Sequence, residues 1–400
     1  MLSPTVVSLL LPLFLLSGDA RHAKADPCIA MDTGFNLLVF GVDGKDWNAG
    51  TQDTWTSEGS ATDITAAANR PPFDGANTTC YLAQFYNAVY VLNGDASDAS
   101  AVYIYDAGAK SWSKQSVDVP SGGAHTFDTS DFGAILDHDT NVFYAMSKGE
   151  VFFLNMGSLT AANGSALSWT DVGAPEAWGD LSSYEPTMAL AQNHIHFIGV
   201  PGLQPGQADI FVIHFSFFQP EAQSYGSDFS QTHGQTASFF QTDGVQQEFA
   251  FIPDDGSATY VINVESNSTQ TLAGPSVKDA GAKYFAGVTS LVQLSAAQGE
   301  LQFLPYTQES DNSAASWTKI TSVSVPAGSD SSSSNSSSSS SSSSGNSSAT
   351  GSSTASGANA SSTSSSAASG LSATAAAAAG MQTLMMTTLV GGVALIAVLL

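Results

Sequence analysis

The sequence predicts an all-β fold: a six-bladed β-propeller with blades of ~53 residues, followed by a disordered Ser-rich stalk. Three observations predict it. Short β-rich segments start 53 residues apart, turn residues separate each from an apolar partner before it, and no amphipathic helical stretch lies between them.

The repeating segments are 35–40, 88–93, 141–146, 194–199, 247–252 and 300–305. An apolar partner precedes most of them, at 81–83, 134–136, 188–190, 238–240 and 291–294. Alternating segments follow at 102–105, 151–154, 210–215 and 260–264. Trp55, Trp112, Trp169, Tyr225 and Trp317 keep similar time. The span 26–326 holds close to six such units, whereas seven blades would allow only 43 residues each. A lone blade exposes apolar faces, so stability must come from stacking neighbours into a closed ring. A sandwich or β-helix is the alternative arrangement.

The two ends read as addresses. Residues 1–25 form a signal peptide: the apolar run 6–16 is too short for a spanning helix, which needs ~20 residues. Small-x-small cleavage patterns end at Ala25 or Ala20. Residues 327–370 are Ser-, Thr-, Ala- and Gly-rich and cannot bury apolar area, which predicts an unfolded, O-glycosylated stalk. Residues 371–400 match a glycosylphosphatidylinositol (GPI) signal of small residues, spacer and apolar tail. Gly370 is the expected attachment site, with Ser366 and Ser369 beside it. A tail-anchored helix is the competing reading. No Lys or Arg follows the tail, where a true span usually carries one.

Charge excludes one class of partner. Ten Lys+Arg face 35 Asp+Glu, a formal net charge of -25, and the only arginines are Arg21 and Arg70. Such a chain does not hold nucleic acid, because counterion release needs clustered cations. The expected partners are an extracellular or cell-wall glycan or protein, and a membrane through the lipid anchor.

Cys28 and Cys80, the only cysteines, lie one repeat apart in a chain read as secreted. Both fall on first strands of neighbouring blades, which predicts a disulfide worth ~4 kcal/mol by loop entropy. Sequons at Asn77, Asn163 and Asn267 fall in expected loops of the propeller, and three more lie in the stalk.

Blade two carries a family likeness. Its segment Val102-Tyr103-Ile104-Tyr105-Asp106 leads to Trp112, with six residues between Tyr105 and Trp112. That spacing resembles the kelch repeat, and implies a kelch-type propeller of the galactose-oxidase-like superfamily. The departure is the Gly-Gly that kelch blades carry after the second strand; only Asn93-Gly94 comes near it. The whole layout resembles fungal GPI-anchored kelch-like surface proteins, a group defined more by form than by activity. The copper-radical oxidases of that fold need an unpaired cysteine joined to a tyrosine, which a Cys28–Cys80 bridge would remove.

Candidate chemistry is sparse. His194 and His196 share one face of a strand and His214 follows on the next, so a metal site there needs a third ligand to converge. Otherwise they line a polar edge. Asp137-His138-Asp139 reads as a hairpin turn. No nucleophile elbow, P-loop, zinc-protease motif or dinucleotide fingerprint is present. Neither 41–47 nor 254–256 matches the calcium-loop spacing. No catalytic, cofactor or metal residue is therefore assigned.

Topology offers a ligand face. Loops from second to third strand, and from fourth strand to the next blade, emerge together. They carry Trp47, Glu176, Trp178, Asp180, Tyr184 and Glu185, together with Asp43, Asp46, Asp74, Asp95, Asp98, Asp254 and Asp255. Exposed aromatics stack on sugars and carboxylates accept their hydroxyls; the plain alternative is a solvated acidic rim. The expectation is a secreted, GPI-anchored surface glycoprotein whose propeller serves recognition, adhesion or wall organisation. A tethered carbohydrate-active or oxidase-like enzyme, or an inert wall protein, are the alternatives.

Overall fold

The computed structural model describes residues 25–121 and 125–328. The segments read as signal peptide, stalk and anchor signal, Gly370 included, lie outside the described residues but for their inner borders. Among the described residues no helix is long and apolar enough to cross a membrane.

Six antiparallel meanders follow one another along the chain. Blade one comprises β1 (Cys28–Met31), β2 (Leu37–Val42), β3 (Lys45–Asn48) and β4 (Thr62–Asp63). Blade two comprises β5 (Thr79–Ala83), β6 (Ala88–Leu92), β7 (Val102–Asp106) and β8 (Ser111–Gln115), with β9 (Val117–Asp118) after it. Blade three has β10 (Gly133–Asp137), β11 (Val142–Ser147), β12 (Glu150–Asn155) and β14 (Thr170–Gly173). Its β13 (Leu167–Ser168) pairs in parallel with β9, so blade three reaches back to blade two. Blade four is β15 (Thr187–Ala191), β16 (His194–Ile198), β17 (Gln207–Val212) and β18 (Phe217–Phe218), with β19 (Gln223–Ser224) also on β17. Blade five is β20 (Gly234–Ser238), β21 (Glu248–Pro253), β22 (Ala258–Asn263) and β23 (Ser268–Ala273). Blade six is β24 (Lys283–Ala286), β25 (Ser290–Ser295), β26 (Glu300–Pro305) and β27 (Thr318–Lys319).

The first strand of every blade packs beside the first strand of the next, and β24 packs beside β1, so the ring closes. Each sheet is covered on both faces by its neighbours, which is why segments such as AVYVL in β6 are apolar at every position and wholly buried. The core accordingly divides into clusters between blades rather than one central mass. One cluster joins blades two and three, another three and four, another four and five, and another five and six. The largest runs from blade six through blade one into blade two. Of the periodic aromatics, Trp112 lies in β8, Trp169, Tyr225 and Trp317 adjoin β14, β19 and β27, and Trp55 caps a 3-10 turn between β3 and β4. Tyr105 and Trp112 stand opposite each other on β7 and β8, with ring centroids 4.9 Å apart.

Two repeat assignments need correction. Residues 300–305 form the third strand of blade six, not its second; β25 is the second and β24 the first. Its second strand starts at Ser290, only 42 residues after Glu248, and β26 alternates as well as any second strand. In blade five the first strand ends at Ser238, so Phe239 and Phe240 belong to the following loop. Cys28 on β1 and Cys80 on β5 are bonded, with Cα atoms 5.8 Å apart, and no free cysteine remains.

A candidate binding cup on the propeller axis

Six first strands converging on one axis cannot fill it, because four-stranded sheets arranged radially diverge from a hole. Here the hole is a cavity of about 480 Å³ lined by residues of all six blades. Its two ends differ. First strands begin on the face that carries the second-to-third-strand loops, and end on the face that carries the first hairpins.

The hairpin end is plugged. Most blades join first and second strands by a tight turn, but blade five inserts residues 239–247. Phe240 from this loop places its ring 6.2 Å from Phe35 of blade one, 5.4 Å from His138 of blade three and 5.8 Å from Phe285 of blade six. The Phe240 carbonyl accepts a bond from Gln308 Nε2 at 2.7 Å, and the Gln246 carbonyl accepts one from the Gln192 N–H at 2.8 Å. Gln84 of blade two reaches the Gln241 carbonyl at 3.5 Å. One loop thus touches every other blade. Gln246 Nε2 also lies 2.9 Å from His138 Nδ1. An amide nitrogen only donates, so Nδ1 accepts and the imidazole proton sits on Nε2. Burial keeps that ring neutral by holding its pKa below the ordinary value, against the pull of Asp139 and Asp137.

The other end is open and polar. His233 Nδ1 lies 2.8 Å from Asp254 Oδ2, joining the entry of blade five to its own second loop. Lys283 Nζ stands 3.8 Å from Asp26 Oδ2, and burial lowers its pKa against the opposing pull of Asp26 and Asp279. Asp26 is itself fixed by the Thr78 N–H at 2.7 Å. Two tyrosines line the wall. Tyr81 donates to the Ala134 carbonyl at 3.0 Å, and burial pushes its pKa up to about 12. Tyr284 accepts from Gln293 Nε2 at 2.7 Å, and burial raises its pKa too. Glu185 and Gln235 complete the lining with exposed and half-buried polar ends. The cup therefore pairs an aromatic floor and walls with acceptors and donors of both charges at its rim.

Of the six ligand-face residues read from sequence, Glu185 alone lines this cup. Trp178 closes a 3-10 turn and is 5% exposed; its Nε1–H donates to the Gln219 carbonyl at 2.9 Å. Its ring packs 5.0 Å from Phe197 and 5.4 Å from Phe218, so it offers no face to a sugar. Tyr184 spends its hydroxyl on the Ile198 carbonyl at 2.8 Å. Glu176 and Asp180 are exposed, and Asp180 is held below its ordinary pKa by bonds from Ser182. Trp47 belongs to β3 rather than a loop, opposite Asp63, with Lys45 Nζ 5.2 Å above its ring. Asp46 and Asp95 are buried at 0% and 7% exposure, the first against Arg70, the second against Tyr103 and Lys114.

His196 is buried, and His214 turns to Asn193 at 3.1 Å, so among the described residues no third ligand joins the His194–His196 pair. Asn163 and Asn267 are exposed in the connections between third and fourth strands of blades three and five, whereas Asn77 is exposed at the open mouth. Sequence reasoning missed Phe240, His233 and Lys283. The signal available for the plug was the length of the 239–247 connection.

No family model matches the chain, and no curated protein sequence matches it. Among solved structures it is similar to selenomethionine-substituted virginiamycin B lyase from Staphylococcus aureus. That likeness has 9% sequence identity and a TM-score of 0.42, over 75% of this chain and 86% of that one.

Proposed function

We propose that this chain is a secreted, GPI-anchored surface glycoprotein of kelch-like type, whose propeller is a non-enzymatic recognition module taking an extracellular glycan into the axial cup. The observation that carries the reading is the cup itself: about 480 Å³, closed at one end and ringed by polar groups at the other. That volume falls in the ordinary range of small-ligand sites, ~300–1,000 Å³. Tyr81 and Tyr284 would supply ring faces for a sugar, while Glu185, Gln235 and His233 would bond its hydroxyls. With Cys28 and Cys80 bonded to each other, the sulfur required by a Cys–Tyr radical site is spent.

The test is glycan-array binding by the full secreted protein, followed by Glu185→Ala and Gln235→Ala. Both variants should keep the wild-type melting temperature and bind the selected glycan about tenfold more weakly, the loss of one or two hydrogen bonds. Binding that both variants leave unchanged would remove the cup as the site, and silence across the array would favour inert structure. The His233–Asp254 pair at the mouth favours one second reading, acid–base chemistry on a bound glycan. Product release that is lost in His233→Asn would establish it.

A further inference from the structure

The described residues also bring together one cluster of mixed metal-ligating side chains away from the axis: His125, Glu150 and Asp171. His125 comes from the connector between β9 and β10, Glu150 opens β12, and Asp171 lies in β14. His125 Nδ1 is 3.1 Å from Glu150 Oε1 and 3.1 Å from Asp171 Oδ2, and the donor atoms all lie within 4.8 Å of one another.

A fault in the ladder creates the cluster. Val151 pairs with Gly173, but Phe152 pairs with Asp171, so Val172 is an extra residue on β14. In a regular antiparallel ladder Asp171 would oppose Phe153 and point to the other side of the sheet. The bulge puts it opposite Phe152, and therefore on the same side of the sheet as Glu150, which precedes Phe152 by two residues. Asp171 is then oriented from behind: its Oδ1 accepts the Gly173 N–H at 2.9 Å, leaving Oδ2 for the cluster. The charges do not balance. Nδ1 carries at most one proton for two carboxylates, so the three side chains stay net negative in either protonation state of the ring.

We propose that His125, Glu150 and Asp171 bind a divalent first-row transition metal on the open face of blade three. Donors held at about 2.0–2.2 Å from one zinc ion lie roughly 3.0–3.5 Å from each other, the separation that His125 already has to both carboxylates. An imidazole donor selects zinc and its neighbours over magnesium and calcium, which take all-oxygen shells. Three protein donors leave a further position for water.

The experiment uses the full secreted protein, stripped with a chelator and titrated with zinc alone. The wild type should bind one more equivalent than His125→Ala or His125→Gln, and Glu150→Gln should weaken that equivalent about tenfold or more. His214→Ala should leave it unchanged. Millimolar calcium or magnesium should not displace it. Equal zinc stoichiometry and affinity in wild type and both His125 variants would overturn the assignment, as would displacement by calcium. All three side chains sit at the rim, so the metal-free variants should melt with the metal-free wild type.

Discussion

His196 lies between the rings of Tyr225, at 5.6 Å, and Phe249, at 5.3 Å, and is 2% exposed. Its Nδ1 has no hydrogen-bond partner among the described residues. Burial, aided by His194, pushes its pKa down to about 3. The folded chain therefore keeps this ring neutral while the unfolded chain takes up a proton at ~6.5, and stability falls as pH drops below that value. At pH 5 the loss amounts to about 2 kcal/mol. Asp209 on β17 has the opposite sign. Burial raises its pKa to about 6, so the folded chain gains a proton before the unfolded one and stability rises as pH falls from about 6 toward 4. The two groups oppose each other within one blade. In His196→Phe the acid-sensitive group is gone, so thermal melts should show the variant gaining on the wild type between pH 7 and pH 5. Asp209→Asn should show its largest benefit at pH 7.5 and none at pH 4. Shifts that do not change with pH would mean these groups do not titrate as described.

At the scale of elements, β3 shows how a carboxylate expected in a loop becomes part of the frame. Asp46 accepts Arg70 Nε at 2.8 Å and Nη2 at 2.7 Å, and its Oδ1 also takes the Gly41 N–H at 3.0 Å. Gly41 stands at φ +82 in the bulge of β2, where a Cβ would meet the Phe73 ring at 2.7 Å. Arg70 lies 4.7 Å over the same ring. The pair pins the connector between blades one and two onto β2 and β3. Arg70→Met strands a buried charge and should cost about 3–5 kcal/mol in urea unfolding. Adding Asp46→Leu should restore most of that loss, and a double variant as unstable as the single would show that the pair is not its source. Strands were legible here because both sheet faces are buried, so 37–40 and 88–92 announce themselves by continuous apolar residues. The loops were not. Val42-Asp43-Gly44 reads as a turn, but nothing local says that pairing resumes at Lys45 and hides Asp46. Likewise the inward turn of Trp178 depends on Phe197 and Phe218, which lie later in the chain.

For the whole molecule, the 53-residue period was enough to predict the ring, and not enough to predict what happens on its axis. The plug at Phe240 joins partners far apart in sequence, such as His138 with Gln246 and Gln84 with Gln241, and no repeat signal reports such contacts. Ring closure has the same character. Among the described residues each blade's sheet is built from strands close together in sequence, so no strand from one end of the ring completes a sheet at the other. The disulfide ties β1 to β5, which leaves the seam between blades six and one without a covalent link. That seam rests on the Trp55 ring, 5.1 Å from Phe303, and on the Trp55 carbonyl, which accepts the Thr321 and Ser322 N–H groups at 2.9 and 3.1 Å. Thr289 adds a bond to Gln52 at 2.8 Å. Trp55→Ala empties the centre of this contact and should cost about 3–5 kcal/mol. Because blades one and six lose a shared partner, hydrogen exchange should accelerate together in β1–β4 and β24–β27, while blades three and four keep their protection. Reduction of the disulfide should instead loosen blade one against blade two and spare β24–β27. Protection lost evenly over all six blades of the tryptophan variant would mean that the ring opens as one unit, with no weaker seam.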